Sequence, residues 1–179
     1  MKHIRHLIRK LKYRFKFFSK NKNTKLNYVV NAASNSELTD LMNLYGSDKG
    51  GKNNHHNYSE YYSDIFFHKR KRIKNFLEIG LGTNNTNMAS NMGADGTPLA
   101  SLRAWKDYFT NANIYGADID KDILKDEERI KTFFVDQTNP DTIDAMFNKI
   151  GVNKFDIILE DGLHEYNANI CFFENSIKY

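Results

Sequence analysis

Cysteine is nearly absent. Cys171 stands alone among 179 residues, so no internal disulfide can form, and such usage fits a reducing compartment, the cytoplasm. Two prolines and ten glycines exclude a collagen-like or low-complexity chain. No apolar run approaches the roughly 20 residues that span a bilayer, and the first residues lack the unbroken apolar core of a secretory signal. Acidic residues are missing altogether from residues 1–25, which hold ten Lys and Arg; residues 26–179 carry the remaining 16 basic side chains and all 22 acidic ones. The body is thus mildly acidic, which argues against a nucleic-acid-binding core. What is left is an ordinary globular composition, 40% hydrophobic and 27% charged, with enough length for one domain.

The basic leader has a helical period. Ile4, Leu7, Ile8, Leu11, Phe15 and Phe18 share one stripe, and Arg5, Arg9, Lys12 and Lys16 another. Residues 1–35 are expected to form a basic amphipathic helix and a linker. Residues 1–18 could lie on an anionic inner-membrane surface, dock on a partner, or simply pack loosely on the domain.

Residues 36–179 read as alternating helices and strands. Ser36 to Gly46 predicts a short helix, with Ser36 as its cap and Gly46 as its stop. A polar, glycine-rich loop follows, holding Asp48, Lys49 and His56 and ending near Tyr58. Ordering such a loop is costly unless it binds something; otherwise it is a linker. The next helix has Tyr61, Tyr62, Ile65 and Phe66 as core candidates.

The organising stretch is Phe76-Leu-Glu-Ile-Gly-Leu-Gly82, an apolar strand that breaks into Gly80 and Gly82. Glycines there allow a sharp turn and close approach of a ligand, at the strand edge where nucleotide-like cofactors bind in open α/β sheets. Glu78 inside the strand is costly unless something at that edge uses it. After a long loop, Ser101 is expected to cap a helix through Phe109. Three more strands are expected, tipped by Asp118 and Asp120, by Asp136 and Gln137, and by Glu160 and Asp161. Helices are expected over 121–130, from a cap at Asp141 to Gly151, and over 165–179 with an apolar stripe of Tyr166, Ile170, Phe173 and Ile177. The alternation predicts a Rossmann-like, three-layer αβα sandwich with a mainly parallel sheet. A carboxylate at the second strand's tip suits a ribose diol, and Asp161 and His164 flank one glycine turn and can face one crevice.

These motifs resemble class I S-adenosylmethionine-dependent methyltransferases. More narrowly, Tyr45-Gly-Ser-Asp-Lys-Gly50, His56-Asn-Tyr58, Ser101-Leu-Arg-Ala-Trp105 and Glu160-Asp-Gly-Leu-His164 are similar to the macrocin and mycinamicin type of sugar O-methyltransferases. The resemblance implies transfer of a methyl group to a sugar hydroxyl of a glycoside, polysaccharide or natural product. It implies S-adenosyl-L-methionine as cofactor, with Glu78, Gly80, Gly82, Asp118, Asp136 and Gln137 on its side. It also implies magnesium with Asp161 as a ligand, and His164 as general base. Glu160 stays open as a second ligand or a buried partner, and His164 could instead be a helix-start residue bonded to backbone. Asp48, Lys49, His56 and Tyr58 fall to a substrate loop.

The family pattern continues beyond residue 179 with a further acidic pair and the last strands. A domain incomplete at its C-terminus is therefore expected, with weak magnesium binding and an edge for a second copy or a completing chain. Two alternatives remain: a non-catalytic, partner-completed binding subunit, and a nucleotide-sugar or NAD enzyme.

Overall fold

The computed structural model describes residues 36–52 and 56–179. The expected leader helix and linker lie outside these residues.

Four parallel strands form one sheet in the order β3-β2-β1-β4. They are β1 (Asn75–Ile79), β2 (Asn113–Asp118), β3 (Ile130–Phe134) and β4 (Ile157–Glu160). β1 lies inside, with Phe76 opposite Ile114 on one side and Ile157 on the other. Because side chains alternate along a strand, β1 feeds two cores. Phe76 packs in a cluster with Trp105, Phe109, Leu102, Leu38 and Met42. Leu77 and Ile79 pack with Ile143, Met146, Phe147 and Phe172. The first core belongs to helices α1 (Glu37–Tyr45), α2 (Tyr58–Phe66) and α3 (Ala100–Tyr108), the second to α4 (Pro140–Ile150) and α5 (Tyr166–Ser176). This is the expected αβα sandwich.

Local chemistry explains several boundaries. The Ser36 hydroxyl accepts from the Thr39 N–H, and Gly46 closes α1 with a left-handed φ of 80°. Asn139, rather than Asp141, caps α4; its side chain accepts from the Asp141 N–H, and Pro140 takes the first turn, where no N–H is needed. The cap of α3 lies two residues earlier than expected. Ser101 lies buried within its first turn instead of capping it, and the cap position belongs to Leu99.

Other expectations are corrected. No helix spans 121–130: only a 3-10 turn, Lys121–Ile123, forms there. The charged residues of this segment are drawn into tertiary contacts instead of a solvated helical face. Arg103 grips Glu127 through two bonds of 3.1 and 2.8 Å, and the Arg129 guanidinium donates to the carbonyls of Lys106, Phe109 and Ala112. On α2, Tyr62 and Phe66 join the core while Tyr61 and Ile65 are exposed. On α5 the expected stripe faces outward: Tyr166, Ile170, Phe173 and Ile177 are exposed, and Ala168, Phe172 and Ser176 are buried. The helix has two apolar faces, and Phe172 reaches the Phe147 cluster.

Phe76 is fully buried and packs its ring 4.9 Å from that of Trp105 and 5.4 Å from that of Phe109. Phe76→Ala should therefore destabilise the fold by about 3–5 kcal/mol. The exposed Leu44 should cost no more than about 0.5 kcal/mol when cut to alanine. Urea unfolding of both variants checks the contrast.

Candidate functional site

The carboxyl ends of the strands open into one cavity of about 440 Å³, within the range of small-molecule sites. Gly80, Gly82, Asp118, Asp136, Gln137, Asp161 and His164 all border it, as do Asp48, Lys49 and His56. Ten of the residues singled out from sequence thus share one wall. Tyr58 stands behind that wall, its ring stacked on His56 at 4.7 Å.

Glu78 is placed differently from the expected cofactor side. It is fully buried and does not border the cavity. Its Oε2 accepts from the Trp105 indole N–H at 3.0 Å, and its Oε1 faces the Lys49 ammonium at 3.3 Å. Burial lifts the Glu78 carboxyl above its ordinary pKa, and Lys49 pulls it back. Lys49 also meets Asp161 Oδ2 at 2.5 Å and Asp48 Oδ1 at 3.6 Å. Burial works against its ammonium, yet Glu78, Asp161 and Asp48 outweigh that and raise its pKa, so Lys49 stays charged. The Tyr62 hydroxyl, pushed up to about 12 by burial and by the charges of Asp161 and Glu78, belongs to the same neighbourhood.

The glycine turn is shaped by close approach. Gly80 has φ +88°, and a Cβ there would overlap the Asp161 carbonyl oxygen. The loop after β4 can therefore cross the tip of β1 only where no side chain stands. Leu81 N–H then donates to Asp118 Oδ2 at 2.6 Å, while Asp118 Oδ1 accepts from the Asp120 N–H at 2.8 Å. Burial raises the Asp118 carboxyl despite these N–H donors. Beside it the Thr83 hydroxyl donates to Asp120.

A second set of bonds fixes the corner that carries His164. Gln137 Nε2 donates to Glu160 Oε1 at 3.1 Å, and Gln137 Oε1 accepts from the Leu163 N–H at 2.8 Å. Glu160 Oε1 also accepts from the Gly162 N–H at 2.8 Å. Oε1 of Glu160 is thus engaged within the wall itself. Asp136 Oδ1 accepts from the Thr138 N–H and hydroxyl at 2.9 and 2.6 Å. His164 takes a left-handed φ of 58°, a strained conformation for a residue with a Cβ. Its Nε2 lies 3.3 Å from Asp161 Oδ1 and its side chain is 59% exposed.

Sequence reasoning missed the cavity's cover. Met88, Ser90 and Met92 line it from the long loop after β1, and the Ser90 hydroxyl donates to the Gly162 carbonyl at 3.0 Å. That loop has no periodicity to betray its role. Ser101, whose side chain faces the Glu78 carboxylate, and Tyr62 were also missed as neighbours of the charge cluster.

No family model matches the chain. It is 32% identical over 139 residues to the 8-demethyl-8-alpha-L-rhamnosyl tetracenomycin-C 2'-O-methyltransferase of Streptomyces olivaceus, covering 76% of this chain and 33% of that enzyme. It is also 32% identical over 134 residues to the mycinamicin VI 2''-O-methyltransferase of Micromonospora griseorubida, covering 75% of this chain and 30% of that enzyme. This chain is a relative of the sugar O-methyltransferases. The resemblance seen in its motifs is borne out, and it extends to structure. The MycE methyltransferase of the mycinamycin pathway, solved with Mg, SAH and mycinamycin VI, superposes with a TM-score of 0.64 at 28% identity. The match covers 79% of this chain and 36% of MycE. The chain spans about a third of the length of the curated relatives it matches.

The glycine turn of this methyltransferase relative is a sharp test of the geometry. Gly93 shares a positive φ of +75° but has open space where a Cβ would go. Gly93→Ala should cost only the left-handed strain, about 1 kcal/mol. Gly80→Ala adds the overlap with Asp161 and should lower the urea midpoint clearly further.

Proposed function

We propose that this chain binds S-adenosyl-L-methionine and takes part in methyl transfer to a sugar hydroxyl of a glycoside. The observation that carries the reading is the convergence of Gly80, Asp118, Asp136 and Asp161 on one cavity. The residues fit the cofactor. A glycine turn provides bare backbone, and the buried Asp118 carboxylate beside it suits a ribose diol by charge-assisted hydrogen bonds. Gln137 and Asp136 would border the adenine side.

When bound, the cofactor supplies a methyl group already activated on a sulfonium, so the protein's task is placement and proton removal. His164, whose Nε2 lies 3.3 Å from Asp161 Oδ1 and whose side chain is open to solvent, would accept the proton of the acceptor hydroxyl. Asp48 and His56, at the rim of the same cavity, would meet the sugar. Magnesium is a different matter. Among the described residues no group of three or more His, Cys, Asp or Glu could hold a metal ion, and the Asp161 carboxylate already carries the Lys49 ammonium. Asp161 would be a ligand of a magnesium site that the described residues do not complete, and no step is derived through the ion. The basic stripe of residues 1–18 supports, by its charge pattern alone, contact with an anionic surface.

Calorimetric titration with S-adenosylhomocysteine tests the cofactor assignment. The native chain should bind, and Asp118→Ala should weaken binding about tenfold to a hundredfold, as loss of hydrogen bonds to a charged group does. Equal affinity in the variant, or NAD binding in place of S-adenosylhomocysteine, would contradict it. His164→Ala should keep that affinity while methyl transfer to a rhamnosyl glycoside falls about 10²–10⁴-fold. Unchanged transfer would remove His164 from the chemistry.

A further inference from the structure

The amino edge of the sheet, away from the cavity, carries a patch that methyl transfer does not use. Residues 26–179 hold 16 basic side chains against 22 acidic ones, yet five of those 16 fall within six consecutive positions: Lys69, Arg70, Lys71, Arg72 and Lys74. Beside them stand three exposed large apolar side chains, Tyr61 at 49%, Ile65 at 44% and Phe67 at 52%. We propose that this patch, together with the basic leader, is a docking surface for a bilayer rich in anionic lipid headgroups. The inference goes beyond the functional reading above and does not rest on it.

The run is held as a platform. Past the end of α2 the Phe67 N–H donates to the Ser63 carbonyl, the Lys69 N–H to Phe66 and the Arg72 N–H to Lys69, each at 2.8 Å. Ile73 is buried in the first core. The Lys71 carbonyl accepts from the Asn111 amide at 3.0 Å, and the Lys74 N–H donates to Asp156 Oδ2 at 2.7 Å. Between these fixings Lys69, Lys71, Arg72 and Lys74 are exposed. Of the five cations only Arg70 pairs with a carboxylate among the described residues, that of Glu37. Its guanidinium also lies 5.1 Å from the Phe67 ring. Against the five cations α2 sets two further acids, Glu60, bonded to Asn57, and Asp64, one oxygen of which is buried.

Cations beside exposed apolar and aromatic side chains suit the headgroup region of a bilayer. The cations meet lipid phosphates and carboxylates, and the apolar tips enter the acyl boundary. The leader is a second pointer to the same occupant. Residues 1–35 contain no Asp or Glu, and residues 1–18 pair an apolar stripe with a basic one. The chain that carries them leaves the described structure at Ser36, next to Glu37, whose carboxylate is on Arg70. It therefore leaves at the patch. The cavity opens at the carboxyl ends of the strands, whereas the patch adjoins the start of β1 at Asn75. A bilayer on the patch leaves the cavity facing water.

Co-sedimentation of the full chain with vesicles tests the proposal. Native protein should partition onto phosphatidylcholine vesicles that contain about 30% phosphatidylserine, not onto phosphatidylcholine alone. Salt at about 0.5 M should release it, because the attraction is screened. Lys69→Gln/Lys71→Gln/Arg72→Gln should lower the partition constant about 100-fold, at roughly fivefold per cation. A similar fall should appear when the leader is neutralised as well by Arg5→Gln/Arg9→Gln/Lys12→Gln/Lys16→Gln. Placement is read from Phe67→Trp, whose added fluorescence should be quenched by brominated lipid. The added fluorescence of Ile119→Trp, exposed at the cavity end of β2, should not be quenched. Salt release and quenching are read without the triple variant, so they decide the matter even if that variant folds poorly. Equal binding to neutral vesicles, native-like partition of the folded triple variant in either background, equal quenching at Ile119→Trp, or tighter capture of a duplex RNA than of the vesicles overturns the proposal.

Discussion

One buried ammonium is the constraint on which the rest depends. Lys49 Nζ stands within 3.6 Å of Asp48, 3.3 Å of Glu78 and 2.5 Å of Asp161. Three carboxylates this close would repel one another without a cation among them, and Glu78 is entirely out of water. Removing one member of a buried ion pair commonly costs about 3–5 kcal/mol, because the other charge is stranded. The cluster ties the turn after α1 to the interior strand β1 and to the loop beyond β4. Segments far apart in sequence are thereby held at one sheet edge, and that edge is where the cavity opens.

Around this charge the site is built from backbone brought unusually close. Gly80 lets the loop after β4 cross the tip of β1, and Gly162 packs on the Gln137 amide, where a Cβ would collide. Gln137 and Glu160 then fasten that loop, and Asp118 fastens the glycine turn. The polar groups of the wall largely satisfy each other before any ligand arrives. A preorganised wall of this kind spends little of a ligand's binding energy on ordering the protein. His164 follows this wall in a left-handed backbone conformation, directly after the Leu163 N–H that bonds to Gln137.

The strand tips were legible because each combines an apolar run with glycine or carboxylate, and the pattern repeats four times at one edge. Gly80, Asp118, Asp136 and Asp161 could be assigned to a common crevice on that ground. Glu78 was visible as an anomaly, but its use was not. Whether a strand carboxylate points to a ligand or into the core depends on the partner that faces it, and Lys49 and Trp105 are remote in sequence. The same limit explains the segment 121–130. Its charges look like a solvated helix until Arg103 and Arg129 draw them into contacts with α3. Periodicity marked a real face of α5 but could not rank its two apolar faces, since only packing against Phe147 selects Phe172. The loop holding Met88, Ser90 and Met92 gave no signal, because a cover over a cavity needs neither period nor charge.

The most direct measurement is a crystal structure of the chain grown with S-adenosylhomocysteine. The account predicts the adenosyl group in the cavity between the Gly80–Gly82 turn and Gln137, its ribose at Asp118, with the Lys49 ammonium still on Asp161 and Glu78. Adenosyl density elsewhere on the molecule, or Lys49 turned out to solvent with Asp161 released, would contradict it.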